Sequence, residues 1–200
     1  MTQIAETDTR EIIISAAFTC FRTMGLRKTT MVDIARAASV SRSTVYEYFR
    51  DKESVVEACA ESASQRFYRN MVKAIDREGG STLEDKLVRA AVFVTQARQV
   101  VAPEPYFDSD EVSVMMTKNA ATLLQECADF FAPYLAAARL TGEVRGDLDV
   151  AAAGEWFARM LFSLFTTPSP RLEANSDQAV AEFVRPFVVR GFVGDKPRRR

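Results

Sequence analysis

The sequence predicts an all-α protein, and three observations support that fold class. Apolar residues recur at helical spacing through the first hundred residues, and no proline precedes Pro103. Breaks at Gly25, near Ser39 and at Gly79-Gly80 divide this stretch into segments of helical length. No segment shows the alternating pattern of a strand, and no internal repeat is present. We therefore expect short N-terminal helices followed by a longer helical domain.

The N-terminal helices are predicted from apolar spacing and capping residues. Gly25 can end the first helix in the left-handed conformation, and Thr30 is a good N-cap for the second, with Asp33 completing a near capping box. Ser41 and Asp51 are suitable N-caps for the next two helices. With these caps, we predict helices over about residues 9–24, 30–37, 41–49 and 51–76.

The remaining helices follow from the same pattern. We predict them over about residues 82–101, 109–138, 149–166 and 177–192. Pro103 ends the first of these, and Pro133 is expected to kink the second. Gly142 and Gly146 mark a loop before the last two helices. Those two helices are richer in Phe, Leu and Trp than one core-facing side requires, so they are too apolar for a lone surface pair.

Composition excludes most enzyme classes. The chain of 200 residues contains no His, which removes the commonest general base and the commonest metal ligand. Ser-His and Cys-His nucleophile pairs are therefore excluded. The sequence also has no GxGxxG or GKS/T loop and no metal-ligand cluster. We expect no catalytic residues, no metal and no cofactor, and an all-α enzyme is the least favoured alternative.

Cysteine usage and hydropathy indicate the cell compartment. Cys20, Cys59 and Cys127 are too far apart for a zinc knuckle or a redox pair, and their odd number suits no disulfide framework. We interpret them as buried thiols in a reducing cytosol. No apolar run approaches the roughly 20 residues that span a bilayer. The sequence therefore predicts a cytoplasmic protein without a membrane partner.

Charge is distributed unevenly along the chain. The formal net charge is −1, yet residues 27–52 contain six basic and three acidic residues. A locally basic segment on a nearly neutral chain is a place where a polyanion binds, although a window this small also arises by chance.

This basic window coincides with a predicted helix, tight turn and second helix over residues 30–49. The arrangement is the helix-turn-helix plan, which places the second helix in the DNA major groove. The inward positions carry Ile34, Ala35, Val40 and Val45. The second helix begins with Ser41, Arg42, Ser43 and Thr44. Because Arg donates two parallel hydrogen bonds to guanine, and Ser and Thr reach phosphates or base edges, the pattern predicts a helix that reads double-stranded DNA.

About residues 10–57 carry a pattern that extends beyond the two-helix plan. Its members are Ala17, Phe21, Gly25, Thr29, Thr30, Ile34, Ala35, Val40, Ser41, Thr44, Val45, Tyr46, Tyr48, Phe49, Lys52 and Glu53. On these residues the chain resembles the tetracycline-repressor (TetR) family of bacterial transcriptional regulators. The resemblance implies a three-helix helix-turn-helix DNA-binding domain over residues 1–56. It also implies a helical effector-binding and dimerisation domain over residues 57–200.

The resemblance implies a function together with the fold. The expected protein is a homodimer, joined through the last two helices, that binds a palindromic operator and regulates transcription as a repressor. A small-molecule effector in the C-terminal domain would release it from the DNA. The DNA-binding domains of the two protomers, here called heads, occupy successive major grooves when they lie about 34–36 Å apart. A constitutive DNA-binding regulator with a solid C-terminal core and no effector is the alternative within the same class.

Single residues of the DNA-binding domain also receive roles from the resemblance. The family's base-reading positions correspond to Arg42, Ser43 and Thr44, and its phosphate contacts correspond to Thr30, Tyr46, Tyr48 and Lys52. Two further residues are added: Ser41, which caps the second helix of the helix-turn-helix, and the nearby cation Lys28. The predicted DNA-binding residues are therefore Lys28, Thr30, Ser41, Arg42, Ser43, Thr44, Tyr46, Tyr48 and Lys52. A solvated cation is the alternative interpretation of Arg42, and a core aromatic is the alternative for Tyr46. We interpret Phe49 as a core residue.

One position departs from the family pattern. Where the family usually has Gly in the turn, this chain has Ser39. If the residue is left-handed, Ser costs on the order of 1–2 kcal/mol. We therefore expect a turn that is slightly strained or differently shaped.

The C-terminal half offers candidate effector-binding residues on composition. They are Phe107, Met115, Met116, Trp156, Phe157, Arg159 and Met160. Met and aromatic stripes at helical spacing usually form core, so a packed core is the competing interpretation. Glu155 and Arg159 are spaced for a local ion pair, and the alternative is that Arg159 holds a ligand carboxylate. The aromatic and Met content favours an apolar or amphipathic effector.

Overall fold

A computed structural model describes residues 2–77, 82–101, 119–167, 169–188 and 192 of the chain. Within these ranges the chain forms eight helices and no strand, which confirms the predicted all-α fold class. The helices are α1 (Thr2–Met24), α2 (Met31–Ala37), α3 (Arg42–Tyr48), α4 (Lys52–Ile75), α5 (Leu83–Val101), α6 (Ala120–Leu140), α7 (Val150–Thr166) and α8 (Asp177–Val188). None of the helices in the described ranges combines the length and apolar character needed to cross a bilayer.

The predicted helix boundaries agree closely with the structure, except at the start of α1 and where a predicted boundary falls outside the described residues. Helix α1 begins at Thr2, earlier than predicted, because polar residues extend a helix once it has nucleated. The beginning of the predicted helix 109–138 lies outside the described residues, and α6 is observed from Ala120. Helix α8 is observed to Val188 and Phe192 lies in a turn, and residues 189–191, which the predicted helix 177–192 includes, lie outside the described residues.

Contacts within the chain divide it into two units, and the division falls inside α4, between Phe67 and Tyr68. In the first unit, α1 packs on α2 and α2 on α3. The fully buried centre of this unit contains Ile13, Ala17, Ile34, Val45 and Val55. Phe49 is also buried, as predicted. The predicted domain boundary after residue 56 stays a prediction.

The second unit contains the end of α4 together with α5 to α8. Helix α5 contacts α6, α7 and α8, and α6 packs along α7. Phe131 and Phe157 are fully buried, and their rings meet edge to face with centroids 4.7 Å apart. Gly154 lets α7 approach α6 closely, because a Cβ at this position would lie 3.1 Å from the carbonyl oxygen of Ala128.

The three cysteines are free thiols. Cys20 and Cys59 are buried as predicted, whereas Cys127 is only partly buried at the residue level. Burial raises the pKa of the Cys59 thiol to about 11 and that of Cys127 to about 12. We therefore expect both to remain protonated at neutral pH and to react slowly with thiol reagents, since the thiolate is the reactive form.

Candidate nucleic-acid interface

The first helix of the helix-turn-helix begins at a complete capping box. The backbone N–H of Asp33 donates to the Thr30 hydroxyl oxygen at 3.3 Å, and the backbone N–H of Thr30 donates to the Asp33 carboxylate at 3.0 Å. The Thr30 hydroxyl also donates to this carboxylate at 2.6 Å. These bonds from Thr30 hold the pKa of Asp33 below its ordinary value. The predicted cap is therefore present, and it fixes where α2 starts.

The turn between α2 and α3 has Ser39 in the left-handed conformation, with φ +56°. The N–H of Ser39 donates to the carbonyl of Arg36 at 3.2 Å, and the N–H of Val40 donates to that of Ala35 at 3.1 Å. These two bonds form the Schellman arrangement, which usually has Gly at the left-handed position. The structure confirms the backbone conformation that we considered for Ser39, and the strain argument applies to it.

We expect Ser39→Gly to leave the free energy of unfolding unchanged or to raise it by up to about 1 kcal/mol. Relief of the left-handed strain opposes the greater freedom that Gly adds to the unfolded chain. Urea unfolding of the two proteins measures the difference. Ser15→Gly is the matched control, because Ser15 is exposed in the interior of α1. The control should lose about 0.5–1 kcal/mol. If Ser39→Gly lowers the free energy of unfolding as much as the control does, the left-handed conformation of Ser39 is not strained.

Helix α3 starts at a hydroxyl cluster. Ser41 is the N-cap, and its side-chain oxygen accepts from the backbone N–H of Thr44 at 3.0 Å. The Ser41 oxygen also lies 2.6 Å from the Ser43 oxygen and 2.9 Å from the Thr44 oxygen. In each of these two pairs either hydroxyl can be the donor, so the cluster places three groups that can both donate and accept hydrogen bonds at the start of the helix.

All nine predicted DNA-binding residues are accessible to solvent to some degree. The exposed ones are Lys28, Thr30, Ser41, Arg42, Ser43 and Tyr46, and the half-buried ones are Thr44, Tyr48 and Lys52. Tyr46 is 47% exposed, which disfavours its interpretation as a core aromatic. Tyr48 packs partly against the core of the first unit. Their roles in DNA binding stay predictions.

Lys52 makes a contact that the sequence did not predict. Its ammonium group donates to the backbone carbonyls of Arg27 at 3.2 Å and Thr29 at 3.0 Å. Lys52 thereby connects the beginning of α4 to the loop that leads into α2. Because an ammonium group has three donors, one remains for a phosphate oxygen. More than twenty residues separate Lys52 from these carbonyls, so no local sequence signal could have revealed the contact.

The cations of residues 27–52 differ in how they are paired. Arg50 donates to Asp51 at 2.8 Å, and Arg36 lies 3.7 Å from Asp33. In the described part of the chain, the side chains of Arg27, Lys28 and Arg42 form no ion pair. These three exposed cations can therefore neutralise phosphates without first losing an intramolecular partner.

The effector-binding candidates do not form one cluster among the described residues. Phe157 is fully buried against Phe131, Met160 is half-buried, and Trp156 and Arg159 are exposed. Phe107, Met115 and Met116 lie outside the described residues. Adjacent helical residues point about 100° apart, so Trp156 and Phe157 face different surroundings.

Arg159 forms the local ion pair that the sequence allowed. Its Nη2 and Nε atoms donate to the Glu155 carboxylate at 2.6 and 3.0 Å. Both side chains are more than half exposed, so this pair contributes at most a few tenths of a kcal/mol.

Large apolar side chains are exposed on the last two helices. Trp156 on α7 is 47% exposed, and its ring meets that of Phe192 edge to face at 5.7 Å. Phe183 and Phe187 on α8 are 43% and 70% exposed.

The comparisons with known proteins agree with this helix-turn-helix. A family model described as bacterial regulatory proteins, tetR family, matches residues 13–59. An uncharacterised HTH-type transcriptional regulator of Mycobacterium tuberculosis is 30% identical over 180 residues, which cover 88% of this chain and 83% of the relative. The HTH-type transcriptional repressor KstR2 of Rhodococcus jostii is 28% identical over 151 residues, or 72% of each chain.

A solved structure, the SmeT–triclosan complex, has the same fold. Its TM-score is 0.61 at 18% identity, and the match covers 94% of this chain and 93% of SmeT. Three findings together identify the family. They are the helix-turn-helix, the family match, and the relative that aligns over most of both chains. The chain belongs to the TetR family of bacterial transcriptional regulators.

Proposed function

We propose that this regulator is a homodimeric repressor that binds a palindromic operator and is released by a small apolar or amphipathic effector. One observation carries the DNA-binding part of the proposal: α3 is capped and held by the turn at Ser39, and its exposed side presents Ser43 and Arg42, which has no ion-pair partner among the described residues. A short helix with this outward face fits the major groove, where Arg reads guanine. The exposed Lys28 and the remaining ammonium donor of Lys52 would bind phosphates.

Dimerisation through α7 and α8 is supported by their exposed aromatic residues. Trp156, Phe183 and Phe187 each leave part of an aromatic ring exposed on these two helices. A twofold arrangement would cover the same surface on both protomers. It would also supply two heads, which a palindromic operator requires. We place the dimer interface on these helices.

Repression and effector release are supported by the relatives. KstR2 is named a repressor, and SmeT forms a complex with triclosan. We place the effector in the second unit, with Trp156 and Met160 as the candidates that are not fully buried. A protein that acts on chromosomal DNA works in the cytoplasm, and we propose no catalytic activity for it. We also propose that residues 1–56 bind DNA and that residues 57–200 dimerise and bind the effector.

The test begins with selection of DNA fragments by the purified protein from a random double-stranded library. Recovery of a palindromic site would support operator binding. Candidate ligands are then titrated while operator occupancy and the fluorescence of Trp156, the only tryptophan, are followed together. An effector with about 100-fold weaker affinity for the DNA-bound form couples by roughly 2.7 kcal/mol. Saturating operator must weaken effector binding by the same factor.

The outcomes separate the alternatives. The control is Trp156→Phe, which removes the only tryptophan and therefore tests that the change in emission comes from this residue. A ligand that changes the emission and leaves operator affinity unchanged would show binding without release. If a site is selected but no ligand binds, the constitutive regulator replaces the effector-controlled one. Turnover of a substrate without any DNA binding would overturn the proposal.

A further inference from the structure

Glu47 lies at the middle of the exposed face of α3. Each residue turns an α-helix by about 100°, so two residues turn it by about 200°. Glu47 is two residues from the buried Val45 and two from the buried Phe49, and it therefore points away from both. Ser43, one turn earlier, lies on the same exposed face. This is the face that α3 would turn toward the bases.

Glu47 is also the one acidic residue of the basic window that has no intramolecular partner in the described part of the chain. Asp33 accepts the capping bonds of Thr30. Asp51 accepts hydrogen bonds from Arg50 at 2.8 Å and from the backbone of Ser54 at 2.8 Å. The structure thus accounts for two of the three carboxylates by their local bonds and leaves the third facing outward.

We propose that Glu47 is a specificity-determining residue that accepts a hydrogen bond from the N4 amino group of cytosine in the major groove. The inference rests on the proposed operator binding and adds Glu47 to the predicted base-reading residues Arg42, Ser43 and Thr44. Glu47 would act one helical turn after Ser43, so its base pair differs from the one that Arg42 contacts.

Cytosine is the base whose major-groove edge suits a carboxylate. Guanine presents the acceptors N7 and O6, and thymine presents O4, all of which repel a second acceptor. Adenine has an N6 amino group, but its N7 acceptor lies beside it. Cytosine presents only the N4 amino donor. A carboxylate at Glu47 therefore favours cytosine and disfavours the other three bases.

The phosphate backbone adds a second reason for selectivity. A carboxylate on the DNA-facing side of α3 is repelled by phosphates on every sequence, so it weakens non-specific binding. Only a site that offers a donor to Glu47 offsets this repulsion. The same side chain thus disfavours wrong sites and favours the correct one, which is how specificity is increased at an interface.

The experiment is selection from a random double-stranded DNA library by the full chain and by Glu47→Gln, followed by competition binding. Gln forms two hydrogen bonds with adenine N6 and N7. We expect the wild type to prefer cytosine at one position of each half-site and Glu47→Gln to prefer adenine there, with a change of about tenfold in relative affinity. Preferences at the position that relaxes in Arg42→Ala should not change.

Glu57→Gln is the matched control, because Glu57 is exposed in the same unit but lies on α4. It removes the same charge and should keep the cytosine preference. If Glu47→Gln binds every sequence more tightly and selects the same site as the wild type, Glu47 acts only through charge and the inference is overturned. A wild-type chain that selects no sequence would overturn the proposed operator binding and this inference with it. Thermal unfolding of each variant verifies that the substitutions leave the fold intact.

Discussion

Replacing Arg42 by Ala is expected to weaken binding to the selected operator by about 1–3 kcal/mol per half-site and to relax the preference at one base pair. The Arg42 side chain is exposed at the first position of α3 and forms no ion pair with the described residues. Its guanidinium group is therefore available to donate two hydrogen bonds to guanine. Operator titrations at several salt concentrations, with single-base variants of the site, measure both effects.

Two comparison variants separate base reading from charge. Arg22→Ala removes an exposed cation at the end of α1 and should change affinity little and preference not at all. Lys52→Ala should weaken all sequences alike and reduce the salt dependence by about one phosphate per head. It should also lower stability, because the carbonyls of Arg27 and Thr29 lose their donor. If Arg42→Ala weakens binding to every DNA sequence by the same factor, Arg42 is not a base reader.

Replacing Phe157 by Ala is expected to lower the free energy of unfolding by about 3–5 kcal/mol. Phe157 is 0% exposed and its ring packs edge to face on Phe131, so truncation removes a large buried surface and leaves a cavity. Denaturant unfolding at a fixed protomer concentration measures the loss, since the stability of a dimer depends on concentration.

Phe157→Leu is the matched variant, because it keeps most of the apolar volume and should cost less than about 1.5 kcal/mol. The pair distinguishes the two interpretations of Phe157. A core residue gives this graded loss of stability. If Phe157→Ala is nearly as stable as the wild type but loses effector binding, Phe157 lines a ligand cavity and the core interpretation is wrong.

The sequence was sufficient for features that depend on neighbouring residues. Thr30 and Asp33 are three residues apart and form the capping box, and Glu155 and Arg159 are one helical turn apart and form the ion pair. For Ser39 the resemblance to the family, which usually has Gly there, raised a left-handed turn as one possibility, and the structure shows that conformation. Caps, turns and i,i+4 pairs are formed by groups that the helix geometry already brings together, so their spacing predicts them.

The tertiary structure was needed wherever a residue's partner is distant in the chain. Periodicity placed Trp156 and Phe157 on one apolar helix but did not decide that Phe157 packs on Phe131 while Trp156 is half exposed. Nor did it place the Lys52 ammonium group on the carbonyl of Thr29.

The sequence by itself determined the all-α fold, the helix-turn-helix with its caps, and the family. The packing of helices decided which apolar side chains are core, and it left Glu47 on the outer face of α3 without a partner among the described residues. The physical reason is that local hydrogen bonds depend on a few adjacent residues, whereas burial depends on which surfaces of separate helices meet.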